Sequence, residues 1–317
     1  MYKIKCLYED FLVRENIELN FTTGDYYYFL IEKKGLGTLD TIKLISQKLK
    51  LDLTRFGYAG LKDKNALTSQ YISIFKPDMI ILDKIDLKNL TLKFIGLGNK
   101  PISKGTLLGN DFVITVRNLD NEHKKISFIE NYFDEQRFSS NNVDVGRNIV
   151  KRNYNQIFEF LNIDNFNSLK KYDHSMLRFY VNSYQSYLWN CVVADLLRKE
   201  KGYFEVDYSL GKFVFLNRKI KNFKVPLLNF DSKFESGVKL VYERIMKEEG
   251  ISKDSFLIRE FPELINETDY RDVVVDVSIK SRFENDELNK GKFKQILEFS
   301  LPKGSYATIV IKKMFFV

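Results

Sequence analysis

The stretch with most chemistry in it is GYAGLKDKNALTSQYISI, residues 57–74, in which Asp63 stands between Lys62 and Lys64. An aspartate near glycine at the junction of two strand-like runs is an ordinary turn signal. It can also do chemistry. Cations beside a carboxylate favour its charged form, and an ionised carboxylate on a rigid connection can act as a nucleophile or as a base. The chain offers few other agents. Its two histidines, His123 and His174, are far apart in sequence, and Cys6 and Cys191 have no metal-ligand spacing. A zinc centre and a serine–histidine machine are thereby disfavoured, and both cysteines read as buried thiols in a reducing compartment. EKKGLGTLD lacks the third glycine of a dinucleotide site, and no phosphate-cradling Gly-Lys-Ser/Thr occurs. The expectation is an enzyme with no metal and no cofactor.

The chain has 317 residues, 50 Lys+Arg against 42 Asp+Glu, and a net charge of +8, a balance that fits a polyanionic partner. With 27 Phe and 18 Tyr, rings remain for base stacking once a core is filled. No run approaches the ~20 apolar residues needed to span a membrane, and the N-terminus lacks a signal-peptide core. The protein is expected to be cytoplasmic.

The elements that must position Asp63 follow from periodicity. Residues 10–15 and 26–35 read as strands, as do YISIF and DFVITVRN, where Phe112, Ile114 and Val116 share a face. TLDTIKLISQKLK reads as a helix with Thr38 as N-cap and Leu39, Ile42, Ile45 and Leu49 along one face. EHKKISFIENYF reads as a short helix. From about residue 140 the texture becomes polar and loop-like, with a basic cluster of Arg147, Lys151 and Arg152. A long helix follows, its core stripe formed by Leu177, Val181, Tyr184, Leu188 and Cys191. Strand texture resumes near residue 270, so the pattern predicts a discontinuous domain interrupted by an insertion.

GYAGLKDKNALTSQY resembles the signature around the catalytic aspartate of the TruD/Pus7 family of pseudouridine synthases. Five further stretches are similar to that family in the same order: YEDFLVRE (8–15), LLGNDFVITVRN (107–118), NYFDEQRFS (131–139), SYQSYLWN (183–190) and LPKGSYATIVIKKM (301–314). The resemblance spans nearly the whole chain. It implies an α+β fold, in which a mixed, largely antiparallel sheet flanked by helices forms a catalytic domain over 1–139 and 267–317. An inserted α/β TruD domain would occupy 140–266.

The implied roles follow position by position. Asp63 matches the aspartate on which the reaction depends, and Lys5 a basic residue expected to pair with it. Phe11, Asn131 and Tyr306 match positions lining the uridine pocket, and Phe133 the ring against the target base. Plain core packing is the competing reading for Phe11 and Phe133. Lys62, Lys64, Arg147, Lys151 and Arg152 are expected to serve the RNA backbone. Asp134 and Ser139 depart from the family pattern, which has glycine at both places; a left-handed backbone there would be strained, for Ser more than for Asp. The implied activity is conversion of uridine to pseudouridine in tRNA, notably at position 13, by a monomer; other RNAs are further candidate substrates. The rival reading is a non-catalytic RNA-binding protein or RNA chaperone. A carboxylate-dependent hydrolase is disfavoured, since no second acid is paired with Asp63 at motif level.

Overall fold

The computed structural model describes residues 1–78, 87–139 and 141–316. In chain order it contains β1 (Phe11–Ile17), β2 (Tyr26–Lys34), α1 (Thr38–Leu49), β3 (Phe56–Tyr58), β4 (Leu67–Phe75), β5 (Leu90–Gly98) and β6 (Leu107–Leu119). Then come β7 (Phe128–Glu130), α2 (Asn142–Lys151), α3 (Tyr154–Leu161), α4 (Phe166–Lys170), α5 (His174–Leu197), β8 (Tyr203–Tyr208), β9 (Gly211–Leu216) and β10 (Lys224–Pro226). The last elements are α6 (Ser236–Glu249), β11 (Tyr270–Asp272), β12 (Val274–Asp276), β13 (Lys280–Asn285), β14 (Phe293–Pro302) and α7 (Ala307–Phe315). No helix of the described residues is long and apolar enough to cross a membrane.

The chain divides into two compact units, Met1–Ser127 with Val277–Gly304, and Phe128–Asp276 with Ser305–Val317. These bounds follow contacts, whereas the sequence texture changes near residues 140 and 267. Pairing of β7 with β12 draws residues 128–130 into the second unit. The Lys313 ammonium on α7 meets the Glu130 carboxylate, and Lys312 meets Asp134, which joins the C-terminal helix to that unit as well.

The first unit is built on an eight-stranded sheet in the order β13-β14-β6-β1-β4-β2-β5, with β3 paired to β4 beside that path. Only the β1–β4 pair is parallel, so the sheet is mixed and largely antiparallel. Alternation along β2 and β4 puts Phe29, Ile31, Ile72 and Ile74 on one face, against Ile42, Ile45 and Leu49 of α1. Two details of α1 differ from expectation. Gly37 is the N-cap and Thr38 the first helical residue, and Leu39 is exposed while Thr38, Thr41 and Ser46 are buried. The buried hydroxyls have polar partners, so the buried face of this helix is wider than its apolar stripe.

In the second unit α5 is the central element, with Leu177, Val181, Tyr184, Leu188 and Trp189 buried. It packs against α2 and α6. The expected loop at 141–151 is helix α2, because Val143, Val145, Ile149 and Val150 share enough buried surface to offset its polar composition. The expected helix at 122–133 is instead an extended segment ending in β7. Ile126, Ile129 and Phe133 mimic a helical period, but the ladder with β12 satisfies the backbone of 128–130. Asp134 has φ −91° and ψ 167°, and Ser139 is not among the residues of positive φ, so neither position needs the glycine. Cys6 is exposed, against expectation, and Cys191 half-buried.

Gly146 is the close-approach point of α2 on α5: a Cβ there would lie 2.0 Å from the Tyr180 carbonyl oxygen. Gly146→Ala is therefore expected to force the helices apart and to cost about 2–3 kcal/mol, read as a lowered urea midpoint. A midpoint equal to wild type would show that the crossing is not tight.

Candidate active site

Asp63 lies in the connection between β3 and β4, two antiparallel neighbours. This loop is held from beneath at two points. The Thr38 hydroxyl accepts from the Lys62 backbone N–H at 2.8 Å and donates to Gln70 Oε1 at 2.7 Å; Gln70 Nε2 donates to the Gly60 carbonyl at 3.3 Å. Thr68 and Gln70 of β4, with Lys33 of β2, continue the same sheet face that carries Phe29, Ile31, Ile72 and Ile74. The core face thus turns polar at the end that supports Asp63.

Lys62 points inward. Its ammonium lies 2.9 Å from Glu15 Oε1 and donates to Asn110 Oδ1 at 2.7 Å, with side chains 6% and 0% exposed for Lys62 and Glu15. Glu15 Oε2 also accepts from the Tyr71 N–H at 2.9 Å. Lys62 is therefore an internal strut between β1, β6 and the loop, and its charge is used inside the unit instead of on a phosphate. Lys64 is exposed.

Lys5 is brought to Asp63 by an unusual backbone. It has φ +57°, a left-handed conformation costly for a residue with a Cβ. Its ammonium donates to Asp63 Oδ2 in an ion pair and lies 4.3 Å from the Phe11 ring centroid. The Lys5 and Asp63 side chains are 17% and 28% exposed, so the carboxylate remains within reach of a ligand. Phe11 is buried, edge-on to Phe112, and seats the Lys5 ammonium by a cation–π contact. The N-terminal segment is anchored next to this point. Buried Arg117 holds Asp10 through both carboxylate oxygens and also pairs with Asp286 and Glu287. Lys3 adds a backbone bridge to Arg117.

Sequence reasoning missed Lys33, which is fully buried on the core face and donates to the Leu36 carbonyl. Burial lowers its pKa to about 8, against the opposing fields of Asp63, Asp40 and Glu15. The available signal was a lysine in phase with Phe29 and Ile31 in YYYFLIEKK.

In the second unit, Asn131, Phe133 and Tyr306 come together. The Phe133 and Tyr306 rings are 6.2 Å apart at 65°, and Phe133 meets Trp189 at 5.6 Å. Asn190 of α5 pins Phe133 on both sides, accepting from its N–H at 3.0 Å and donating to its carbonyl at 2.8 Å. Phe133 is buried, and the Arg271 guanidinium lies 4.0 Å from its ring centroid, leaving at most the opposite face for a base. Asn131 is clasped by Arg271 and Ser305. Burial raises the Tyr306 pKa against the fields of Arg137 and Arg271, so the phenol is neutral. Asp134 accepts from Thr308 and from Lys312, which gives the aspartate in place of glycine a structural use.

The basic cluster of this unit is mostly engaged internally. Arg147 pairs with Asp144 at 2.6 Å and Glu249 at 3.0 Å, packed over Tyr184 and Tyr187. Arg152 donates to the carbonyls of Val150, Ser255 and Leu257, and Lys151 shares Glu249 at 3.7 Å. Arg147 and Arg152 tie α2 to other parts of its own unit, a use that solvated spacing in the sequence did not reveal.

A family model described as tRNA pseudouridine synthase D (TruD) matches residues 2–170 and 207–314. A Methanocaldococcus jannaschii protein named "Probable tRNA pseudouridine synthase D 2" is 32% identical, the alignment covering 99% of this chain and 91% of that one. A tRNA pseudouridine synthase D of Aquifex aeolicus is 28% identical over 99% of this chain and 98% of its own. A Methanosarcina mazei crystal structure assigned to tRNA pseudouridine synthase D (TruD) superposes with a TM-score of 0.67 at 26% identity, covering 99% of this chain and 93% of that one. The chain belongs to the tRNA pseudouridine synthase D (TruD) family.

Two outcomes follow from the site. Lys62→Met strands Glu15 as a buried charge, with an expected loss of about 3–5 kcal/mol in denaturant unfolding. The salt slope of RNA affinity should not change, whereas a phosphate contact would change the slope by about one and leave stability intact. For Lys33, a folded pKa of about 8 against an ordinary 10.5 means that the unfolded chain holds more protons between those values. Wild-type stability should therefore rise, relative to Lys33→Met, as pH increases from 8 towards 10.5. A difference that does not change with pH would show that Lys33 titrates normally.

Proposed function

We propose that this isomerase converts uridine to pseudouridine in tRNA, at position 13, through the Asp63 carboxylate. The observation that carries this reading is the Lys5–Asp63 ion pair on a loop pinned from beneath by Thr38 and Gln70. The reaction breaks the bond from N1 to the ribose carbon, turns the base, joins C5 to the same carbon, releases the C5 proton to solvent, and leaves N1 to take up a proton in its place. Either entry route requires an ionised carboxylate, whether Asp63 attacks the sugar or removes a ribose proton to give a glycal. Lys5 holds that carboxylate in position, with Phe11 seating the Lys5 ammonium.

The target base must leave its stack, at a cost of about a few kcal/mol. Stacking on an aromatic ring returns on the order of 1–3 kcal/mol, and Phe133 is the ring we assign to this. Asn131 and Tyr306 complete the uracil pocket, and Lys64 is the remaining loop cation placed to meet a phosphate. The enzyme works as a cytoplasmic monomer. Its catalytic domain is discontinuous, with the TruD domain inserted.

The test is tritium release from tRNA labelled at uracil C5, with wild type and Asp63→Asn compared at equal tRNA binding. Release by wild type alone is the expected result, with a loss of at least about 10³-fold in the variant. Release by both would remove Asp63 from the chemistry. Binding without release by either would favour a non-catalytic RNA-binding protein.

A further inference from the structure

Asn131 has little freedom. Its backbone N–H donates to the Val273 carbonyl at 2.8 Å. Arg271, on β11, grips both parts of the residue: Nε donates to the Asn131 main-chain carbonyl at 2.7 Å and Nη2 to the side-chain Oδ1 at 2.9 Å. The Ser305 hydroxyl donates to the same Oδ1 at 2.8 Å, and Asn131 Nδ2 donates to the Asp272 carbonyl at 3.1 Å. All these residues lie in the second unit. The surroundings fix which way the amide faces. A guanidinium has no acceptor, so a flipped amide would set NH₂ against N–H donors and oxygen against the Asp272 carbonyl oxygen. Both lone pairs of Oδ1 are used, and one of the two amide hydrogens is used. What Asn131 has left to offer a ligand is an N–H.

We propose that Arg271 and Ser305 are positioning residues that hold Asn131 as a pure hydrogen-bond donor, facing an exocyclic oxygen of the target base both before and after the base turns. This rests on the reading that Asn131 lines the uracil pocket. The chemistry of the turn gives a donor particular value. Bringing C5 to the place of N1 is a half-turn about the axis through N3 and C6, and this exchanges the C2 and C4 carbonyls. A donor fixed beside the glycosidic position meets one carbonyl in the substrate and the other in the product. Uracil carries an oxygen at both places. Cytosine carries an amino group at C4, which the turn would bring donor to donor against the Asn131 N–H. The locked amide thus selects uracil without a contact to N3.

Pseudouridine formation under single-turnover conditions tests this, followed by nucleoside chromatography of digested tRNA. The target would be uridine or 4-thiouridine, whose sulfur accepts poorly. Wild type should be about tenfold slower on the thio substrate, the worth of one hydrogen bond to the base. Ser305→Ala should slow the uridine reaction about three- to tenfold at unchanged tRNA affinity, with Ser305→Thr restoring it. The Arg271→Met, Ser305→Ala double variant, checked for folding by its melting transition, should lose the distinction between the two substrates. Equal wild-type rates on uridine and 4-thiouridine would overturn the inference while leaving the isomerase reading intact. So would an unaffected Ser305→Ala. No turnover of the uridine tRNA by wild type would overturn both.

Discussion

The Lys5–Asp63 ion pair is held in place by supports from several elements of the first unit. Lys5 and Asp63 are 58 positions apart, and neither is placed by its own secondary structure: Asp63 is in a strand-to-strand connection and Lys5 in an irregular segment with left-handed backbone. Their meeting requires that both segments be fixed by other means. Arg117 does this for the N-terminal segment through Asp10. Thr38, Gln70 and the buried Lys62–Glu15 pair do it for the loop. Burying an ion pair carries a desolvation penalty that its attraction offsets only in good geometry. Here the Lys62–Glu15 pair also engages Asn110 and the Tyr71 N–H, which offsets part of the penalty. What the arrangement gains is position, which a reacting carboxylate needs more than stability.

The second unit applies the same strategy to rings and amides. Asn190 fixes the Phe133 backbone, Arg271 covers one face of its ring, and Arg271 with Ser305 fixes the Asn131 amide. The Trp189 N–H reaches the Val225 carbonyl and the Gln185 amide the Leu228 carbonyl, so the polar residues of the α5 motif secure the loops around it. The polar residues of this motif are thus used to fix neighbouring backbone.

Much of this was legible in the sequence, and the limits have physical causes. The alternation of β2, β4 and β6 and the stripe of α5 are strong periodic signals, and the family resemblance pointed to Asp63, Lys5, Asn131, Phe133 and Tyr306, of which the structure pairs Lys5 with Asp63 and gathers the other three in the second unit. Local pattern failed where tertiary partners decide the outcome. Residues 128–130 follow a helical period yet pair with a strand nearly 150 residues later, and α2 looks like a loop because its polar groups outnumber the few side chains that bury it. Charge was the least legible property. Lys62, Arg147 and Arg152 look like solvated cations in one dimension, and each has found a carboxylate or a set of carbonyls within its own unit. Lys33 and Arg271 carried no motif-level signal, and Ser305, though it lies in LPKGSYAT, was given no role there, because their importance lies in what they hold.

The central claim is that Lys5 acts through Asp63 on the reaction and not on the RNA. The most direct measurement is single-turnover pseudouridine formation by Lys5→Met beside its tRNA affinity across a salt series. The account predicts a rate lowered by about 10²-fold or more with affinity and salt slope as in wild type. A rate within a factor of about two of wild type, or a loss confined to affinity with a shallower salt slope, would contradict it.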